Sequence, residues 1–347
     1  MMRFCVLGSG AGGAPTLRRA PAAVLVQVEG TFFLFDCGEG TQRQLIRVRV
    51  SRSRIHLIAI THLHADHVLG LFPLLSSMAS DRRQAPLLLI GPRGLGELVR
   101  HTLRGIDVHL PFELTIQELE PAFGGQLVET EQWRLSCAPL HHSLPCFGFR
   151  IQERRMPSVD RERLSSFGLE AGRLIGELKR QGWVQLPSGQ KVTLEQVSHP
   201  RPQPTLVYCG DTRPCWETVE LAYRADVLVH EATFASDLAD IARQSFHSTA
   251  AEAATVAAMA QVRHLLLTHF STRYDSLEAL LQEARAYFPA TSLAQELRWE
   301  QVPSSDPLHD QGNSLSDADT QRGQSVASLV PVQGADQGAD QPRSAHP

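Results

Sequence analysis

No apolar stretch of the 347-residue chain reaches the ~18 residues that a bilayer-spanning helix needs, which excludes an integral membrane protein of that kind. The opening MMRFCVLGSGAGG has too short an apolar core, and meets glycine too early, for a secretory signal. Cysteine is sparse: six residues, Cys5, Cys37, Cys137, Cys146, Cys209 and Cys215, with no Cys-x-x-Cys pair. That fits reduced thiols in a cytoplasm better than a disulfide framework. Neither sign of charge dominates, the net value being −4, so bulk charge announces no nucleic-acid partner. What the chain does have is 42% apolar residues, ample for a sizeable core in one large domain or two.

Up to about residue 303, apolar runs alternate with helix-like stretches. RFCVLG, AAVLVQVEG and TFFLFDCG predict strands, the last two joined by a turn at Gly30. HLIAITH predicts a buried strand and DHVLGLFPLLSSMA a helix. PLLLIGP, QWRLSCAPLHH, CFGFRIQE, TLVYCGD, DVLVHEA and RHLLLTH predict further strands, with helices at STAAEAATVAAMA and DSLEALLQEARAYF. The pattern is α/β with a mixed sheet. After Pro303 the periodicity stops: residues 304–347 repeat GADQ and carry six aspartates against two arginines. Such a segment buries too little apolar surface to offset its ordering entropy and predicts a disordered acidic tail. The tail accounts for the whole net charge, so the body before it is neutral.

Several strands end in one kind of residue: IAITH at His62, CAPLHH at His142, LVYCGD at Asp211 and LLLTH at His269. Ligands at the ends of rigid strands are well placed to converge. A lone histidine there is commonly a packing or capping residue. The stretch HLHADH (His62–His67) is different, because an N-cap role for Asp66 leaves three flanking histidines unexplained. His62 and His64, two apart on an extended or turning segment, can face the same side, and Asp66 with His67 opens the next helix. The cluster suits two metal ions, one on His62 and His64 and the other on Asp66 and His67. Neutral imidazoles with carboxylates fit Zn²⁺, with Mn²⁺, Fe and Co²⁺ also compatible.

THLHADH resembles the HxHxDH signature of the metallo-β-lactamase superfamily, which implies an αββα sandwich with two metals at the sheet edges. Finer motifs are similar to those of ribonuclease Z, the endonuclease that trims the 3′ trailer from precursor tRNA. They are LGSGAGGAPTLRR (Leu7–Arg19), FLFDCGEGTQRQL (Phe33–Leu45), YCGDTRP (Tyr208–Pro214), HEATF (His230–Phe234), FHSTAAEAA (Phe246–Ala254) and LLLTHFSTRY (Leu265–Tyr274). The resemblance runs in family order from residue 3 to about 300. It implies that His62, His64 and His142 hold one Zn²⁺, that Asp66, His67 and His269 hold a second, and that Asp211 bridges both. His141 competes with His142 for its role, but the family pattern PLxH falls on Pro139–His142 and favours His142.

The chemistry implied is attack of a metal-bridging hydroxide on the scissile phosphate, leaving a 3′-hydroxyl on the tRNA and a 5′-phosphate on the trailer. Asp66 orients or deprotonates the water. The departing 3′-oxygen needs a proton, for which His247 is the candidate acid, oriented by Glu231. His230 stays open between a structural and a catalytic role.

Residues 150–205 interrupt the αββα pattern with ten Lys/Arg and six Asp/Glu, a +4 segment in a neutral body. By itself this is a solvated insertion. In ribonuclease Z the same place holds a flexible arm that grips tRNA, and Phe167–Val192 is similar to it, departing at Gly172-Arg173 where the family has Gly-Pro. RRAPAAVLV near the start departs as well. The resemblance further implies a cytoplasmic homodimer in which one copy's arm serves the other's site. The organisation expected is a nuclease domain over 1–303 with the arm inserted at 150–205, then the tail over 304–347. Two other classes compete. A small-molecule hydrolase of the superfamily, acting on a lactone, thioester or cyclic phosphodiester, would share the ligands but needs no basic arm. A protein with a purely structural metal is disfavoured by seven His/Asp ligands without clustered cysteine.

Overall fold

The computed structural model describes residues 1–12, 16–169 and 173–303. The expected tail over 304–347 and the Gly172 half of the Gly172-Arg173 departure lie outside these residues.

Two seven-stranded sheets face each other. The first is built from β1 (Arg3–Gly8), β2 (Ala23–Val28), β3 (Thr31–Phe35), β4 (Ile55–Ala59), β5 (Leu87–Pro92) and β6 (Leu114–Leu119). The second takes β7 (Gly125–Glu129), β8 (Trp133–Leu140), β9 (Cys146–Glu153), β10 (Thr205–Cys209), β11 (Val227–Glu231), β12 (His264–Thr268) and β13 (Thr291–Leu293). A last strand, β14 (Trp299–Gln301), returns to the first sheet beside β1. The spatial orders are β14-β1-β2-β3-β4-β5-β6 and β13-β12-β11-β10-β9-β8-β7. In each sheet one half is antiparallel and the other parallel: β3 to β6 run together in the first, β10 to β13 in the second.

Strand periodicity explains why the sheets stack. Alternate side chains of a strand face opposite ways. In β3, Phe33 and Phe35 enter the layer between the sheets while Phe32 and Leu34 enter the layer under the helices. In β10, Leu206 and Tyr208 point inward and Val207 and Cys209 outward. The rings of Phe35, Phe149 and Tyr208 meet in the central layer, with centroids 5.8 and 6.0 Å from Phe35. Helices 71–80 and 95–105 cover the first sheet, and helices 216–222, 250–259 and 278–287 the second. These are the layers of an αββα sandwich. The β2–β3 turn forms at Glu29-Gly30, both at positive φ (46° and 88°), the conformation that a tight two-residue hairpin requires.

The helix expected over DHVLGLFPLLSSMA is two helices, Ala65–Val68 and Leu71–Ser80. Pro73 has no N–H to continue the ladder, and the Gly70 N–H donates to the Cys37 carbonyl at 2.8 Å instead of to its own helix. His67 O accepts from Cys37 N at 2.8 Å, so the metal-motif turn is stitched to the end of β3. Between Glu153 and Thr205 the chain makes a separate small body. It contains helices Arg161–Ser166 and Arg173–Gln181 and a hairpin of Trp183–Gln185 with Lys191–Thr193. Leu164, Leu169, Leu178, Val184, Val192 and Val197 form its own core. Asp160 caps the first of these helices, accepting from the Glu162 and Arg163 amides.

Gly70 allows the close approach to Cys37 and Gly38. A Cβ there would stand 1.9 Å from the Gly38 carbonyl oxygen and 2.9 Å from that of Cys37, and backbone cannot yield as a flexible side chain can. Gly70→Ala is expected to cost about 1–3 kcal/mol in urea unfolding, the usual penalty of overpacking, and to lower metal content by displacing Asp66 and His67. Unchanged stability and metal content would show that the junction has slack.

Candidate metal centre

The loops after β4, β8, β10, β11 and β12 meet at one edge of the sandwich. His62 follows β4, His142 follows β8, Asp211 follows β10 and His269 follows β12, while Glu231 ends β11. Strands from both sheets therefore deliver their carboxyl ends to the same place.

The ring nitrogens fall into two groups. His62 Nε2 lies 2.9 Å from His64 Nδ1, and His142 Nε2 lies 3.2 Å from the same atom. His67 Nε2 and His269 Nε2 are 3.2 Å apart, with Asp66 Oδ2 at 3.8 and 3.5 Å from them. Asp211 stands between: its Oδ2 is 3.6 Å from His62 and 3.9 Å from His142, its Oδ1 3.3 Å from His67 and 3.2 Å from His269. All seven residues expected as ligands are brought together. Three sets among the described residues could hold a cation: His62, His64, His142 and Asp211; Asp66, His67 and His269; and Asp211, His247 and His269. His141 stays outside: its ring is exposed and packs near Phe246, centroids 5.9 Å apart.

The partners on the far side of each ring settle which nitrogen faces inward. His67 Nδ1 donates to Asp36 Oδ2 at 2.7 Å and His142 Nδ1 to the Phe246 carbonyl at 2.9 Å. Thr233 Oγ1 donates to Glu231 Oε2 at 2.5 Å, so it accepts from His269 Nδ1 at 3.0 Å. Thr61 Oγ1, 3.0 Å from Asp36, likewise accepts from His62 Nδ1 at 3.0 Å. A ring that gives its proton outward turns a lone pair inward. The ring nitrogens then converge across about 3 Å, an arrangement that a shared cation satisfies. Asp211 Oδ1, buried and without a hydrogen-bond partner, is an acceptor waiting for the same thing. The donor set thus fits divalent metal, with outer partners of the kind that orient ligating histidines.

Electrostatics agree. Burial, reinforced by neighbouring rings, pulls His62 well below the usual imidazole value, and burial lowers His64 and His142 as well. They are neutral and able to ligate. Burial also pulls at His67, but Asp211 and Asp36 outweigh it and hold that ring well above the usual value. A proton is favoured there because the second group is rich in negative charge, which a cation would satisfy in its place.

Beside the groups His247 pairs with Glu231. His247 Nδ1 donates to Glu231 Oε1 at 2.8 Å, and the same oxygen accepts from the Thr212 amide at 2.9 Å. Burial opposes the charged ring, but Glu231 and Asp211 raise it to about 9. His230 is fully buried, its Nδ1 2.8 Å from the Glu231 carbonyl, and it joins neither metal group. Asp36, Thr61, Thr233 and the Phe246 carbonyl were not singled out in the sequence. Asp36 carried a usable signal, since TFFLFD ends in a carboxylate as TLVYCGD does.

Fold and site together define a hydrolase of the metallo-β-lactamase superfamily. Residues 192–270 match the family model described as a beta-lactamase superfamily domain, and residues 2–166 match that of the anti-Pycsar protein Apyc1. Over 312 residues the chain is 36% identical to the ribonuclease Z of Methanothermobacter thermautotrophicus, covering 89% of this chain and 100% of that protein. It is 41% identical over 302 residues to the ribonuclease Z of Brevibacillus brevis, covering 84% and 94%. Among solved structures, the short form of human tRNase Z superposes with a TM-score of 0.64 at 27% identity, over 87% of this chain and all of that one. The chain belongs to the ribonuclease Z family.

Asp36 is the outer partner that the geometry marks as most consequential, because it also accepts from Thr61 and from Tyr208 Oη at 2.8 Å. Asp36→Asn should weaken metal binding about 10–100-fold, the usual loss when such a partner goes, with circular dichroism unchanged. Wild-type affinity in a chelator competition would show that His67 is held by packing alone.

Proposed function

We propose that this chain is the endoribonuclease that cuts the 3′ trailer from precursor tRNA, leaving a 3′-hydroxyl on the tRNA and a 5′-phosphate on the trailer. The observation that carries it is the end-to-end match with ribonucleases Z, spanning both metal-motif halves and the basic segment between them. His62, His64 and His142 would hold one divalent ion and Asp66, His67 and His269 the other, with Asp211 shared; Zn²⁺ suits these ligands, and Mn²⁺, Fe or Co²⁺ are alternatives. Such ions supply positive charge against that building on the phosphate oxygens and acidify water near neutrality. Asp66, with one oxygen held by the Gly12 amide at 3.1 Å, orients the attacking water. His247, charged at neutral pH through Glu231, gives its proton to the departing 3′-oxygen.

The basic segment grips tRNA phosphates. Its groove of about 620 Å³ is lined by Arg161, Lys179 and Arg201 among apolar residues such as Leu164 and Ile175. We further assign a cytoplasmic homodimer in which one copy's arm serves the other's centre. The domain plan is a nuclease body over 1–303 that carries the arm at 150–205, followed by a tail.

The decisive test is incubation with a 3′-extended precursor tRNA and mapping of both product ends. Cleavage should vanish on chelation and return with Zn²⁺ or Mn²⁺. Full activity of a preparation shown metal-free by elemental analysis would remove the metal assignment. Cleavage of lactones or thioesters with none of the tRNA would favour the small-molecule hydrolase.

His247→Ala should keep its metal and lose about 10²–10⁴ in kcat, the worth of a general acid. An acid works while protonated, so activity should fall as pH rises through about 9. Glu231→Gln removes the charge that raises this ring, and should move the alkaline limb of kcat/KM to lower pH. An unmoved limb would unseat His247.

Neutralising Arg173, Lys179 and Arg180 together should raise KM for precursor tRNA with kcat kept, the signature of binding lost equally in ground and transition states. The salt dependence should flatten by up to about one log–log unit per lost phosphate contact on duplex. An unchanged KM and slope would reduce the segment to a surface insertion.

A further inference from the structure

The residue left over from the metal centre is His141. Its main chain is tied down on both sides: its amide donates to Thr212 Oγ1 at 3.2 Å and its carbonyl accepts from the Arg213 amide at 2.9 Å. Its ring is exposed, touches neither metal group, and stands on the rim next to Phe246. Phe246 is half-buried and held in an unusual way. It adopts a left-handed backbone, φ 61°, which a bulky side chain adopts only when its surroundings impose it. The Arg213 guanidinium lies 4.0 Å over the Phe246 ring and is itself fixed by two hydrogen bonds to the Arg243 carbonyl. Arg213 therefore covers one face of Phe246, whose ring meets that of the exposed His141 at a tilt of 52°. The residue after Phe246 is His247, the proton donor to the leaving 3′-oxygen.

We propose that His141, supported by Phe246 and Arg213, is a stacking platform for one nucleobase: that of the nucleotide whose 3′-oxygen departs. The proposal rests on the nuclease reading above and gives that site its substrate polarity. The base attached to the departing oxygen must lie on the side of the acid. On that side the chain offers flat rings and a guanidinium plane, which bind bases of any identity through their faces. This gives the nucleotide a fixed position without reading its sequence, as an enzyme acting on many tRNAs requires. It also explains why an exposed aromatic ring is placed beside a ligand histidine that its backbone already locates.

The test pairs a protein change with a substrate change. His141→Ala should raise KM for precursor tRNA about five- to a hundredfold, the worth of one base stacked on a ring, with metal content intact. His141→Trp, which restores a flat face, should recover most of the loss. A precursor with an abasic residue at the last position of the mature tRNA should show the raised KM with the wild-type protein, and His141→Ala should add nothing further. If the two changes multiply independently, if Trp does not rescue, or if His141→Ala sheds metal, the platform assignment is wrong. If the wild-type protein cuts no precursor tRNA at all, it is the nuclease reading that fails.

Discussion

Five imidazoles and two carboxylates crowd together at the mouth of a rigid sandwich, the ligand atoms of each group within 4.8 Å of one another. Each of His62, His67, His142 and His269 donates its outer N–H, to Thr61, Asp36, Phe246 and Thr233, and turns its other nitrogen toward the cluster. The buried Asp211 Oδ1 has no donor. Such a cluster is costly unless cations are shared across it, and the rest of the molecule holds it against that cost. Strand ends fix the backbone, an outer shell of hydrogen bonds fixes the rings, and close contacts at Gly70 and Gly38 fix the turn carrying Asp66 and His67.

Glu231 links this cluster to His247. Its carboxylate accepts from His247 and the Thr212 amide on one oxygen and from Thr233 on the other. Thr212 adjoins Asp211, and Thr233 holds His269. One buried carboxylate thus holds His247 and, through Thr212 and Thr233, the chain beside Asp211 and the ring of His269, which ties the geometry of His247 to that of the His/Asp cluster.

Much of this could be read from the sequence, and what could not has physical reasons. HLHADH concentrates four candidate ligands in six residues, and the strand-end rule pointed to His142, Asp211 and His269, which lie in the same cluster, because apolar runs led into each. The outer partners escaped because they are hydroxyls and a main-chain carbonyl, groups that every sequence holds in plenty and that acquire a role only when the chain folds. Strands 114–119, 125–129 and 291–293 escaped because edge strands carry exposed polar residues and lack a sustained apolar run. The helix break at Gly70 is a tertiary effect, since the amide that leaves the ladder is taken by Cys37, over thirty positions away in the chain.

The mirrored sheets have a consequence for synthesis. The first sheet supplies His62, His64, Asp66 and His67, while the second supplies His142, Asp211 and His269. The first group is not closed until Asp211 and the second not until His269, in a chain described to residue 303. A growing polypeptide emerging from a ribosome, surrounded by the very class of RNA its family cuts, therefore carries no complete centre until nearly the whole body has been made.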